Sequence, residues 1–235
     1  MIPERPPLPA DEVEAAAAVR RLAGEMLGRT LDPELSAAIA RVVNELADRA
    51  SAAPARTKAE AFARYTGHQR IEHFLDTGTW PDPPDDGDPV LFDALSFVGG
   101  ALSPIGGGAE FAREGDRAVA RVRFGPSYEG PPTRVHGGML AATFDEVMGA
   151  LFRVLGLPSA FTASLTVRYE APAPLGADLV FAAWLEAVDG RKFTVRAEGT
   201  GPDGRFASAD ALFIEMSAAH LSEALDPGAN GGAAG

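Results

Sequence analysis

The feature that most constrains this chain lies in its second half. A helical segment, residues 137–155, is followed by four strand-like runs, 160–170, 178–188, 191–200 and 205–216. Only short turns separate the runs: Pro172, Pro174 and Gly176, then Asp189-Gly190, then Pro202-Asp203-Gly204. Asp-Gly between alternating runs is a hairpin signal, and connections this short imply antiparallel strands. Ahead of the helix, residues 107–113 and 116–124 flank Glu114-Gly115 and read as one more hairpin. One amphipathic sheet wrapped around one helix buries such a set. The expected fold class is therefore α+β, an antiparallel sheet around a long central helix.

The first 80 residues read as helical. Residues 11–28 carry Val13, Ala16, Ala17, Val19, Leu22, Ala23, Met26 and Leu27 at amphipathic spacing. Asp11 and Glu14 offer a capping box, and Gly28 fits the end. Asp32-Pro33 starts a second helix with the stripe Leu35, Ile39, Val42, Val43 and Leu46. A third helix is expected over 57–76. Between Pro81 and Pro89 stand four prolines and four aspartates in nine residues, which makes an extended linker or surface loop. The chain thus divides into an N-terminal helical extension (1–80), a Pro/Asp-rich linker (81–94), the sheet domain (95–220) and a tail expected to be disordered (221–235).

Charge and cysteine content remove whole classes of function. The 21 Lys and Arg stand against 33 Asp and Glu, a net charge of −12, and no basic run appears. Binding a nucleic acid requires a concentrated basic face, so neither nucleic acid nor an anionic membrane is an expected partner. An anionic ligand would have to be held by a local basic pocket. Cysteine is absent, which excludes disulfides, thiolate nucleophiles and thiolate-ligated metals and suits a cytoplasmic protein. The N-terminus has no apolar core segment of a signal peptide. No window approaches the about 18 apolar residues of a membrane span.

The chemistry-bearing stretch runs from Gly130 to Gly149 and contains His136-Gly137-Gly138 and Asp145-Glu146. His136 ends a Pro-rich loop, and the two glycines open the helix. They let backbone N–H groups approach a ligand with no side chain between. The first amides of a helix are unpaired and carry partial positive charge, so a carbonyl oxygen gaining negative charge would be stabilised there. Asp145 lies two turns on, with Ala141, Ala142, Met148 and Gly149 as its helical neighbours. A carboxylate on a face of small and apolar residues needs a purpose. Glu146 is turned about 100° away and is a second candidate.

His136-Gly137-Gly138, the carboxylate nine residues after His136, Thr162-Ala-Ser-Leu-Thr-Val-Arg-Tyr169 and Pro172-Ala-Pro-Leu-Gly176 together resemble the hotdog-fold acyl-CoA thioesterases of the PaaI-like type. The resemblance covers about residues 95–217 and says nothing specific of residues 1–90. It implies a five- or six-stranded sheet around the helix, and a homodimer or dimer of dimers with sites at the subunit interface. It implies no metal or cofactor, CoA entering only as part of the acyl-CoA substrate. By the same resemblance Asp145 is nucleophile or general base, and Gly137 and Gly138 supply the oxyanion donors. His136 positions the thioester. Thr162 orients water or the carboxylate, typically across the interface. Strand alternation puts Thr162 on the opposite face from Phe161, Leu165 and Tyr169 unless a bulge intervenes. Met139, Phe144, Met148 and Phe152 could line an acyl pocket. Arg134, Arg168, Arg191 and Lys192 are candidates for the CoA phosphates, with Glu146 also on the substrate side. A hotdog 3-hydroxyacyl thioester dehydratase and a non-catalytic acyl-CoA or protein-binding module are the competing functions.

Overall fold

The computed structural model describes residues 5–90, 93–216 and Ala219. The tail over 221–235 lies outside the described residues. Four helices come first: α1 (Ala10–Gly28), α2 (Pro33–Ser51), α3 (Lys58–Thr66) and α4 (His68–Thr77). The strands β1 (Glu110–Glu114) and β2 (Arg117–Val122) precede the central helix α5 (Gly137–Val154). β3 (Ala160–Tyr169), β4 (Leu179–Asp189), β5 (Lys192–Gly201) and β6 (Gly204–Glu215) follow. All six strands form one antiparallel sheet in the order β1-β2-β4-β5-β6-β3. The α+β class is as expected, but β3 and β4 are not neighbours: the 170–178 connection carries the chain across, so that β3 pairs with β6 and β4 with β2.

The sheet closes on α5 because that helix is apolar on almost every face. Ten of its 18 residues are buried. Phe144 meets Phe181 edge-on at 5.0 Å, and Phe152 meets Phe193 and Phe213 at 5.2 and 5.0 Å. Thr143, fully buried, donates its hydroxyl to the Met139 carbonyl at 2.8 Å, so no buried polar group is stranded there.

The extension departs from the sequence expectation in two places. α1 begins at Ala10 with Pro9 in the cap position, and the Asp11/Glu14 capping box does not form. Asp11 and Glu12 fall in the first turn, where the helix dipole favours them. Glu12 also pairs with Arg64 at 3.0 Å and accepts from the Tyr65 hydroxyl. The single helix over 57–76 is split by Gly67, whose φ of 92° lies outside the helical region. Thr57 and Glu60 close a capping box on α3. The second helix starts as the sequence indicates, Asp32 accepting from the Leu35 amide at 2.7 Å.

The acidic stretch is a surface loop with a turn at 85–88, laid along the β1 edge. The Val90 amide donates to Phe111 at 2.8 Å, and the Arg113 amide donates to Asp88 at 3.0 Å. Asp86 accepts from the Gly115 amide at 2.6 Å. One sheet edge is thereby covered, while β3 closes the other end of the strand order with its outer edge open among the described residues. Arg153, near the end of α5, lies 4.6 Å over the Trp80 ring, itself stacked on Phe74 of α4. Burial, with Arg5 and Arg70 nearby, pushes its guanidinium down to about 10. No described helix is long and apolar enough to cross a membrane.

Candidate active site

The loop before α5 is pinned on both sides. The Gly130 amide donates to Arg134, Val135 to Ala173 and His136 to Tyr128, at 2.9, 3.0 and 2.8 Å. Gly130 packs so closely on His136 that an added Cβ would lie 2.8 Å from the His136 Cα. Thr133 takes a φ of 67°, in the left-handed region. Its amide donates to Glu129 at 2.6 Å, and its carbonyl accepts from Leu175 at 3.0 Å. These contacts fix where the helix starts.

His136 is the N-cap of α5, and its Nδ1 accepts from the Gly138 amide at 3.0 Å. A ring nitrogen that accepts carries no proton, so in this arrangement Nε2–H is the free donor. The amides of Met139 and Leu140 are taken by the His136 carbonyl at 2.9 and 3.2 Å. Gly137 is left: its amide donates to no acceptor among the described residues, while its carbonyl accepts from the Tyr169 hydroxyl at 2.7 Å. The helix start therefore presents one uncommitted backbone donor at its positive end, beside an imidazole N–H.

Asp145 is half-buried, and Thr162 donates to its Oδ1 at 2.7 Å. This contact depends on an irregularity in β3. Thr162 lies opposite Phe213 and Ser164 opposite Leu212, so Ala163 is the extra residue of a bulge. The bulge shifts the alternation by one, and Thr162 joins Leu165, Val167 and Tyr169 on the helix side. The bond lies within one chain, where the resemblance implies a reach across the subunit interface.

The remaining candidates separate. Arg134 is exposed in the loop just before His136. Met139 is buried in the core, as are Phe144, Met148 and Phe152, so within this chain they pack the interior and do not line an open pocket. Glu146 faces away from Thr162. Its carboxylate accepts from the Ser96 hydroxyl and from the amides of Gly99 and Val98, the latter two at 3.2 and 3.3 Å. Burial raises the Glu146 carboxyl above its ordinary value, against the pull of those donors. Arg168 lies on the outer sheet face, tied to Asp210 at 2.5 Å. Arg191 donates to the Glu215 carbonyl at 2.8 Å in the β4–β5 turn. Lys192 is exposed next to it, in register with Ile214, which is itself opposite Phe161. Two participants escape a reading of the motif alone. Tyr169 clamps β3 to the helix start, and the alternation Leu165, Val167, Tyr169 could have located it. Ser96 lies fifty residues from Glu146, and no local pattern links the two.

Residues 133–208 match the family model described as the Thioesterase superfamily. Over 102 residues the chain is 35% identical to acyl-coenzyme A thioesterase THEM4 of Xenopus laevis, covering 43% of this chain and 46% of that protein. It is 32% identical to the THEM4 protein of Mus musculus, covering 43% of this chain and 44% of that one. The match thus spans about half the length of these curated relatives. A solved structure described as a thioesterase superfamily protein superposes with a TM-score of 0.67 and 23% identity, covering 91% of this chain and 95% of that one. That likeness is one of fold. The architecture is the hotdog fold, and coverage so high takes in the N-terminal helices as well as the sheet.

Proposed function

We propose that this chain, a hotdog fold carrying a thioesterase-superfamily segment, hydrolyses an acyl-CoA thioester to the free acid and CoA. The observations that carry the reading are three groups on α5 and its cap. They are a carboxylate oriented by Thr162 at 2.7 Å, the uncommitted Gly137 amide, and an imidazole whose Nδ1 is already taken by Gly138. Thioester hydrolysis needs a nucleophile or base and a donor for the carbonyl oxygen as it gains charge. Asp145 is the former and the Gly137 N–H, backed by His136, the latter; about 12 Å of α5 separates the two in one chain, so the reading takes the donors from the helix start of a second copy.

Thr162 occupies Oδ1 of Asp145, which leaves Oδ2 to act. Water adds to the carbonyl carbon as Asp145 takes its proton. The carbonyl oxygen takes the negative charge, then the C–S bond breaks and the departing thiolate recovers the proton. In the covalent route Oδ2 itself adds, the thiolate leaves, and water cleaves the resulting anhydride. Single turnover in ¹⁸O-water separates them, because only the covalent route puts label into the Asp145 carboxylate.

The open β3 edge, with Phe161 and Tyr169 56% and 54% exposed, is where a second copy would complete an acyl pocket. Cavities of 420 and 480 Å³ in the single chain do not include Asp145 or His136 in their linings. Arg134 is the nearest basic group in sequence to the motif and is assigned to the CoA phosphates. The test is a panel of acyl-CoA chain lengths with a thiol-reactive dye. Thiol release, reduced about 10²- to 10⁴-fold in Asp145→Asn, is the expected result. No release at any chain length overturns the assignment in favour of a binding module.

A further inference from the structure

α2 is well formed yet packs closely on no other described element. It runs for 19 residues, about 28 Å at 1.5 Å per residue. It has a bonded N-cap and a proline in its first turn, but none of its residues is buried. Leu35, Val42, Val43 and Leu46 are 44–53% exposed. Leu35, Ile39, Val42 and Leu46 recur at intervals of four, three and four, the a/d seam of a heptad. The same register continued outward places Asp32 at an a position and Arg49 at a d position.

We propose that α2 pairs antiparallel with α2 of a second copy of this chain, about a two-fold axis near residues 40 and 41. In an antiparallel pair a faces d. Ile39 then meets Val42, Leu46 meets Leu35, and Asp32 meets Arg49, each layer occurring twice. In a parallel pair Asp32 would meet Asp32 and Arg49 would meet Arg49. The end charges therefore select the antiparallel register and seal both ends of the apolar seam. In the antiparallel pair g flanks g, so Glu45 lies beside Ala38 of the other chain and no like charges face each other beside the seam. A surface complementary to itself in this way is what an isologous contact needs. A membrane surface is a poorer occupant, since Arg41 and Arg49 stand against Glu34, Glu45 and Asp48 and leave the helix without the basic face that anionic lipid attracts. The pairing is separate from any contact at the β3 edge. With both in place the chain assembles as a dimer of dimers.

Because the chain has no cysteine, introduced thiols are the only ones present. Full-length Leu35→Cys and tagged Leu46→Cys chains are mixed and mildly oxidised. The expected product is the mixed disulfide dimer, with little from either chain alone. Dimers formed by each variant alone indicate parallel pairing and overturn the proposal, as does the absence of any cross-link. Sedimentation velocity supplies the second arm. Val42→Asp should halve the mass of the largest wild-type species while circular dichroism and thiol-release activity stay unchanged, because Val42 is 44% exposed and belongs to neither hydrophobic core of the described residues. An unchanged mass overturns the proposal.

Discussion

α2 and α5 are helices of 19 and 18 residues with opposite surroundings. Every large apolar residue of α5 is buried, and none of α2 is. The cause lies in how apolar residues are spread around each cylinder. α5 is apolar on most of its circumference, which marks a helix enclosed on all sides. α2 carries a single stripe, which needs one partner surface. The polar residues of α5 follow from its enclosure. Asp145 meets Thr162, Glu146 holds the 96–99 loop, and Arg153 lies over Trp80. A polar side chain on an enclosed helix stays only where something answers it, and that is why a carboxylate there reads as machinery.

The comparison breaks first at Phe144. Its ring is wholly buried against Phe181, so Phe144→Ala should cost about 3–5 kcal/mol. Urea unfolding checks this, and a loss below about 1 kcal/mol would mean that α5 is not the load the sheet is built around. Next comes Thr162→Val, which removes the bond to Asp145 and keeps the β-branched shape. Turnover should fall about tenfold, the effect of a hydrogen bond of about 1.4 kcal/mol, with the unfolding midpoint little changed. A fall in stability alone would make Thr162 only a strand residue. His136→Ala removes the cap bond to Gly138 and should cost about 1 kcal/mol. It should also lower turnover, and an unchanged turnover would confine His136 to capping.

Glu146→Gln probes the other side of α5. The folded state holds the Glu146 proton more tightly than the unfolded chain does, because burial lifts the carboxyl above its ordinary 4.5 and Asp93 adds to the lift. A raised carboxyl contributes stability that is present below 4.5 and lost as the pH climbs through the folded value. The Gln variant lacks that loss. Its unfolding midpoint relative to wild type should therefore rise between pH 4 and pH 7. A constant difference would show that the donors from Ser96, Val98 and Gly99 balance the burial.

Much of the site was legible because it is local. A helix start with His136, Gly137 and Gly138, and a carboxylate two turns on, need only the 3.6-residue period to be placed. The β1–β2, β4–β5 and β5–β6 pairings were legible because two-residue turns admit only antiparallel neighbours, whereas the place of β3 beside β6 was not, its nine-residue connection to β4 setting no neighbour. The side to which Thr162 points was not, since simple alternation puts it outside. The answer lies in the register of β3 against β6, where Ala163 has no opposite number. The partners of Glu146 come from a loop fifty residues earlier, and no spacing rule reaches that far. The split at Gly67 was likewise hidden, as a glycine is tolerated inside many helices and here its φ of 92° ends one.

The smallest expected effect is the most discriminating between the two helices. Leu46 is 53% exposed, so Leu46→Ala removes no buried contact within the chain, and alanine is the better helix former. In dilute protein the unfolding midpoint should move by no more than about 0.5 kcal/mol. In concentrated protein, Leu46 meets Leu35 of the second copy, and the same substitution should lower the midpoint of the assembled form, because association stabilises by mass action. A shift that grows with protein concentration assigns the apolar stripe of α2 to a second chain. A concentration-independent loss of several kcal/mol would place Leu46 in the interior of its own chain and erase the contrast with α5.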